Sequence, residues 1–184
     1  AVPVLIAASG PRTSRLAGRI ADGAILLQGV APDLVARSLE WVAMGNRDRS
    51  DALPLPEVTC WVPLAVGATR AEGYDRVRGR VASALMQGRL DTYRDEDRDH
   101  IAALRATYDN FAHASETPRH AAHVPDHLVQ RYAAAGDPAE VRDCLNALSE
   151  TPGVNRIVLT AHGSGVPLED TLRLLAKSVL PALV

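Results

Sequence analysis

Four apolar runs, each leading into a helical pattern, decide what this chain can fold into. Residues 3–8, 24–27, 58–66 and 156–160 are nearly continuous in apolar side chains rather than alternating. Strands of a parallel sheet, covered on both faces, have this pattern. Residues 13–21 follow the first run, with Leu16, Ala17 and Ile20 on one helical face. Residues 32–44 follow the second, opened by Pro32 and carrying Leu34, Val35, Leu39 and Val42. Residues 69–86 follow the third, where Thr69 and Glu72 have the spacing of a capping box. Residues 168–180 follow the fourth, with Leu172, Leu175, Val179 and Leu180 spaced for one face. Strand and helix in alternation predict βα units, a parallel sheet and, with right-handed crossovers, strand-to-helix loops on one edge.

The third and fourth runs are separated by far more chain than an ordinary connection needs. That stretch has helical patterns of its own, so it reads as an insertion. Residues 90–110 are charged and helical, with Asp95, Glu96, Asp97, Arg98 and Asp99 as a solvated run. Residues 112–125 are irregular, with Pro118 and Pro125, and residues 126–135 form a helix. Gly136-Asp137-Pro138-Ala139-Glu140 is a strong helix start: Asp137 caps, Pro138 takes the first helical position, and Glu140 lies three residues after the cap. That helix runs to about Leu148, and Thr151-Pro152-Gly153 turns the chain into the last strand.

The 184 residues and 47% hydrophobic content suit a globular domain with a real core. A formal charge of -2 argues against nucleic acid as a partner, and 4% aromatic residues leave little for base stacking. No apolar stretch is long enough to span a membrane, and no signal peptide is visible. Cys60 and Cys144, far apart, do not make a disulfide framework, so a reducing, cytoplasmic setting is expected. Abundant alanine and arginine with almost no lysine fit a GC-rich bacterial genome. The chain opens on Ala1 and enters an apolar run at once, with no initiator methionine. The expectation is a fragment of a longer protein rather than a processed product.

The chemistry concentrates where the first two runs end. Ser9-Gly10-Pro11 joins a strand to a helix. Gly10 admits close approach of the backbone, Ser9 offers a hydroxyl, and Pro11 preorganises the helix start, an arrangement suited to an anionic group. The plainer reading is a strand-to-helix turn punctuated by glycine and proline. Gln28-Gly29 ends the second run: its amide can bind a cofactor, or it is a polar residue before a turn glycine. His162-Gly163-Ser164-Gly165 follows the last run and reads as a flexible loop or an anion nest. His120, His123 and His127 could share a helical face and bind zinc, but Pro125 interrupts that helix, and a histidine-rich surface loop fits better. Cys60, beside Trp61 in the third run, reads as an inert core thiol.

Pro3-Val4-Leu5-Ile6-Ala7-Ala8-Ser9-Gly10-Pro11-Arg12-Thr13, continued by Leu16-Ala17-Gly18 and Ala21-Asp22-Gly23, resembles the luciferase-like monooxygenase superfamily. Within it, the chain is most similar to coenzyme F420-dependent oxidoreductases of the methylenetetrahydromethanopterin reductase type. Gly136-Asp137-Pro138 with Glu140-Val141, and Gly153-Val154-Asn155-Arg156-Ile157-Val158-Leu159, resemble later segments of that family. The resemblance implies the C-terminal half, strands five to eight, of a TIM (β/α)8 barrel with a helical insertion between strands seven and eight; a whole barrel needs roughly 250 residues. It implies one partial barrel domain over residues 1–184 with the insertion at about 88–135.

The resemblance further implies hydride transfer between a deazaflavin and a small organic substrate. The cofactor's phosphate side would meet Ala8, Ser9, Gly10 and Pro11, and also Leu27, Gln28 and Gly29. Acid and histidine positions facing the cofactor ring lie upstream in the family, as do most dimer contacts. The chain alone is therefore expected to be inactive, and to form a homodimer or pair with a missing half-barrel. No catalytic residue and no metal ligand is assigned. In relatives acting on phosphorylated substrates, basic residues face the substrate near Gln130 and Arg131; the glutamine puts phosphate specificity in doubt, and Arg131 reads as a surface charge. Two alternatives stand beside this reading: a flavin mononucleotide (FMN)-dependent monooxygenase on the same fold, and a non-catalytic half-barrel scaffold pairing through its open sheet edge.

Overall fold

A computed structural model describes residues 2–50, 53–87, 90–111, 118–161 and 166–183. Its elements are β1 (Leu5–Ala8), α1 (Pro11–Ile20), β2 (Gly23–Leu26), α2 (Pro32–Asn46), β3 (Glu57–Val66), α3 (Arg70–Leu85), α4 (Asp95–Thr107), α5 (Asp126–Tyr132), β4 (Ala134–Gly136), α6 (Pro138–Ser149), β5 (Arg156–Ala161) and α7 (Leu168–Ser178). Short 3-10 turns lie at Leu90–Thr92, Arg119–His123 and Leu180–Ala182. β1 pairs with β2, β2 with β3 and β3 with β4, all parallel, and β5 also pairs with β3. The fold is α/β with a parallel sheet. The chain forms two compact units, Ala1–Val62 with Ala147–Leu159, and Pro63–Asn146 with Thr160–Val184.

In the first unit the register sets Ile6, Ala24 and Val58 side by side, and next to them Ala8, Leu26 and Cys60. All but the half-buried Ile6 are buried, so these positions form the core face. The alternate positions are uneven. Leu5 and Ala7 on β1 are exposed, Ile25 is half-buried, and Thr59 is buried with its hydroxyl unpartnered. The expectation of strands covered on both faces therefore fails at β1, which among the described residues pairs only with β2 and keeps one face open.

α1 corrects its sequence reading. Leu16 and Ile20 are 38% and 55% exposed, while Ser14, Ala17 and Gly18 are buried. The cause is a backbone-to-backbone seam with α2. A Cβ on Gly18 would lie 2.1 Å from the Val42 carbonyl oxygen, and one on Gly45 2.0 Å from that of Arg15. Side chains this small bring the helices so close that the larger residues are turned outward. Arg49 then closes the C-terminal end of α1, donating to the carbonyls of Gly18 at 3.0 Å and Ala21 at 2.8 Å. Asn155 anchors the start of β5 by accepting from Val58 N–H at 2.7 Å and donating to the Val58 carbonyl at 2.9 Å.

In the second unit α3 begins as expected, with Thr69 Oγ1 accepting from Glu72 N–H. Tyr74, Val77, Val81 and Leu85 recur at helical spacing and are buried, as are Ile101 and Leu104 of α4 and Leu128 of α5. The predicted helix over residues 126–135 ends instead at Tyr132 and gives way to the short β4, a fifth strand beyond the four expected. Three small residues carry no periodicity; pairing with Leu64, Ala65 and Val66 defines them as a strand. Asp137 caps α6 as predicted, accepting from Ala139 and Glu140 N–H, and Glu140 accepts from Asp137 N–H in return. On α7 the buried residues are Thr171 and Leu175, whereas Leu172 is 52% exposed.

Candidate anion-binding site

The ends of β1 and β2 are tied together by Leu27 N–H donating to the Ala8 carbonyl at 3.1 Å. That bond brings Ala8, Ser9, Gly10 and Pro11 beside Leu27, Gln28 and Gly29, uniting the predicted residues within the first unit. Ala8 is buried, Ser9 exposed, and Gly10, Leu27, Gln28 and Gly29 half-buried.

Gly10 is the N-cap of α1, at φ -169, and makes no side-chain capping bond. This is extended backbone that any residue adopts, so the turn itself does not require glycine. A Cβ there would meet nothing within 4 Å. Gly10 thus leaves open space over the helix start. Pro11 occupies the first turn as predicted, and the first intrahelical bond is Ser14 N–H to the Gly10 carbonyl. The preceding amides of Arg12 and Thr13 have no capping side chain. The first turn contains no acidic residue and does contain Arg12. A positive charge here opposes the helix dipole, so the local field favours an anion more strongly than at an ordinary helix start.

Gln28 supplies a second independent feature. Its Nε2 is closed off from solvent and, among the described residues, has no hydrogen-bond partner. A buried donor left unmade costs about 1–3 kcal/mol. Gly29 follows at φ 97, a backbone conformation that sets the chain turning at the strand end and suits glycine. Open space at Gly10, uncapped amides and Arg12 thus lie at one strand end, and the buried Gln28 amide at the next. Sequence reasoning missed Arg12 and Thr13; the missing acid in the first turn was the available signal.

Other candidates resolve differently. His162, Gly163, Ser164 and Gly165 lie outside the described residues. The three histidines of the metal pattern each have a separate environment. His120 is buried against Tyr108 with ring centroids 4.2 Å apart, which corrects its placement on a surface loop. His123 is half-buried, and His127 Nε2 lies 2.6 Å from Asp97 Oδ1. Asp97, expected in a solvated run, is 2% exposed because it meets His127. No group of ligating residues suited to a metal ion occurs among the described residues. Gln130 is hydrogen-bonded to Tyr74, whose phenol burial nonetheless holds above its usual range. Burial pushes Cys60 up to about 11, as for an inert thiol.

Fold and site together define an α/β protein of parallel βα units with an anion-suited cradle at the ends of its first two strands. The sequence profile of the luciferase-like monooxygenase family matches residues 1–156, and the chain belongs to that family. A curated relative from Microbacterium testaceum (strain StLB037), named F420-dependent glucose-6-phosphate dehydrogenase, is 36% identical over an 87-residue alignment covering 36% of this chain and 26% of the relative. A protein of the same name from Nakamurella multipartita is 58% identical over 38 residues, covering 21% of this chain and 11% of its own. The solved coenzyme F420-dependent tetrahydromethanopterin reductase from Methanopyrus kandleri shares the fold at a TM-score of 0.75 and 18% identity, over 100% of this chain and 51% of that one. The chain therefore spans about half the length of that structure and less of the curated relatives. No helix among the described residues is long and apolar enough to cross a membrane.

Proposed function

We propose that this chain is part of an F420-dependent oxidoreductase and binds the phosphate side of the cofactor at the turn formed by Ala8, Ser9, Gly10 and Pro11. Leu27, Gln28 and Gly29 complete that cradle. The orphaned Gln28 amide carries the reading, because a buried donor with no protein acceptor, at the strand end beside an uncapped helix start, suits an oxyanion. Ser9 Oγ and the Arg12 and Thr13 amides would donate to the phosphate oxygens, Gln28 would offer its amide from the neighbouring strand end, and Arg12 would add charge. When bound, the deazaflavin supplies hydride transfer to or from a small organic substrate. The curated relatives' names support F420.

The proposed architecture is strands five to eight of a TIM barrel, with a helical insertion at about residues 88–135. Two observations support it: the half-length match to the solved reductase, and the open face at β1. Ring-facing groups come from the other half, so the 184-residue chain alone does not turn over substrate. The protein is bacterial and cytoplasmic, and either dimerises or pairs with that half. A flavin reading rests on the family's monooxygenase members, since FMN also presents a phosphate.

Titration of the chain with F420 and separately with FMN, followed by cofactor fluorescence, tests this. F420 binds saturably, and Gln28→Met weakens it about tenfold while melting no lower than the parent, since the buried unpaired amide is gone. Saturable binding of FMN alone establishes the flavin reading, and binding of neither cofactor overturns the proposal.

A further inference from the structure

Away from the strand ends, α1 and the end of α2 enclose a second polar feature: a groove of about 600 Å³ on the surface of the first unit. Arg12, Arg15 and Arg19 line it from α1, spaced three and four residues apart on one helical face, and Arg47 lines it from the C-cap of α2. Leu16, 38% exposed, and Met44 give it an apolar wall. Asp48 is the one carboxylate among its lining residues, so arginines outnumber acids four to one.

Several arginines elsewhere in the chain are matched with acids. Arg70 holds Glu140, Arg78 holds Asp75 and Asp126, Arg156 holds Glu57 and Arg173 holds Glu169. Among the described residues none of the four groove arginines has a carboxylate within ion-pair distance. Arg15 makes only a weak contact, Nη2 to Met44 Sδ at 3.3 Å. In a chain of net charge -2, four arginines crowded around a single carboxylate are a local electrostatic cost. The α1–α2 seam makes that crowding rigid, because the contact of Gly45 with the Arg15 backbone fixes the groove floor.

We propose that this groove is a binding site for a small multivalent oxyanion, a ligand carrying two or more phosphate or carboxylate groups beside an apolar part that rests on Leu16 and Met44. Guanidinium groups present planar paired donors that match either oxyanion. The arginines are confined to one seam on a weakly acidic chain, which favours a compact ligand over a nucleic acid reading a long basic face. The groove adjoins the cofactor cradle at Arg12 and extends away from it: Arg15 and Arg19 lie beyond the first turn of α1, one and two turns along.

Calorimetric titration at fixed ionic strength with tripolyphosphate, and in a second arm with citrate, tests the site. Saturable binding of either anion is expected, and the stronger arm identifies phosphate or carboxylate as the preferred group. R15Q/R19Q weakens it about tenfold or more, whereas R173Q, which removes the Arg173–Glu169 pair of α7 and no groove residue, leaves it unchanged. Should R15Q/R19Q fail to fold, R47Q provides the same comparison. No saturable binding of either anion overturns the proposal. So does an equal loss in R173Q, or undiminished binding in R15Q/R19Q, which would place the anion at the cofactor cradle. Tighter binding of an oligonucleotide that displaces tripolyphosphate overturns it in favour of a nucleic-acid surface.

Discussion

At Gln28 a side-chain nitrogen is sealed from water with no acceptor in reach, and at Gly10 the space a side chain would fill is open. Neither feature stabilises the fold. Both make sense around a bound phosphate. Their positions were legible in the sequence, since strand, Ser-Gly-Pro and helix follow in order. Their chemistry was only half legible: Gln28 looked like an ordinary polar loop residue, because spacing does not reveal that an amide is buried and unpaired. Asp97 failed in the opposite direction. It sits in the most charged run of the chain, and only tertiary packing against His127 buries it. The two thiols belong to this scale as well. Burial raises Cys60 and Cys144 from about 9.0 to about 11 each. The unfolded chain releases these protons as pH passes about 9, while the folded chain keeps them to about 11, so stability is unaffected below pH 9 and declines between 9 and 11. Urea unfolding across that window shows the decline, and the Cys60→Ala, Cys144→Ala pair makes it shallower, leaving the share of Tyr74; a parent curve no steeper than the variant's contradicts the assignment.

Among the elements, the α1–α2 seam departs furthest from its sequence pattern. Periodicity placed Leu16 and Ile20 inward, because apolar residues are assumed to face the core. Gly18 and Gly45 overrule it, since backbone contact needs the smallest residues at the interface and rotates the leucine and isoleucine toward solvent. Gly18→Ala forces its new methyl against the Val42 carbonyl and destabilises the protein by about 1–3 kcal/mol, read as a lower urea midpoint; an unchanged midpoint would mean the seam is not that close. Helix starts were the most legible elements. The Thr69–Glu72 and Asp137–Glu140 spacings both became the hydrogen-bonded caps they encode, because a cap depends on four consecutive residues and not on distant packing. β4 was invisible for the converse reason: Ala134, Ala135 and Gly136 become a strand only by pairing with β3.

For the whole molecule, alternating apolar runs and helices correctly foretold an α/β fold with parallel pairing, and the residues of the first block resemble the luciferase-like monooxygenase family to which the chain belongs. The exposed Leu5 and Ala7 on β1 could not be foreseen, because a buried-type strand sequence does not say whether its covering partner lies in the same chain. Within the proposed function, the unpaired edge of β1 is where the other half of a barrel continues the sheet, and its packing covers the exposed face. Substrate chemistry then belongs to the combined halves, and cofactor-phosphate capture to this one. The most direct measurement of that claim is amide hydrogen exchange with and without F420. The account predicts slowed exchange at Gly10, Arg12 and Thr13 and across residues 27–29, with the rest of α1 little changed. F420 binding that protects other segments and leaves these amides as fast as before would contradict it.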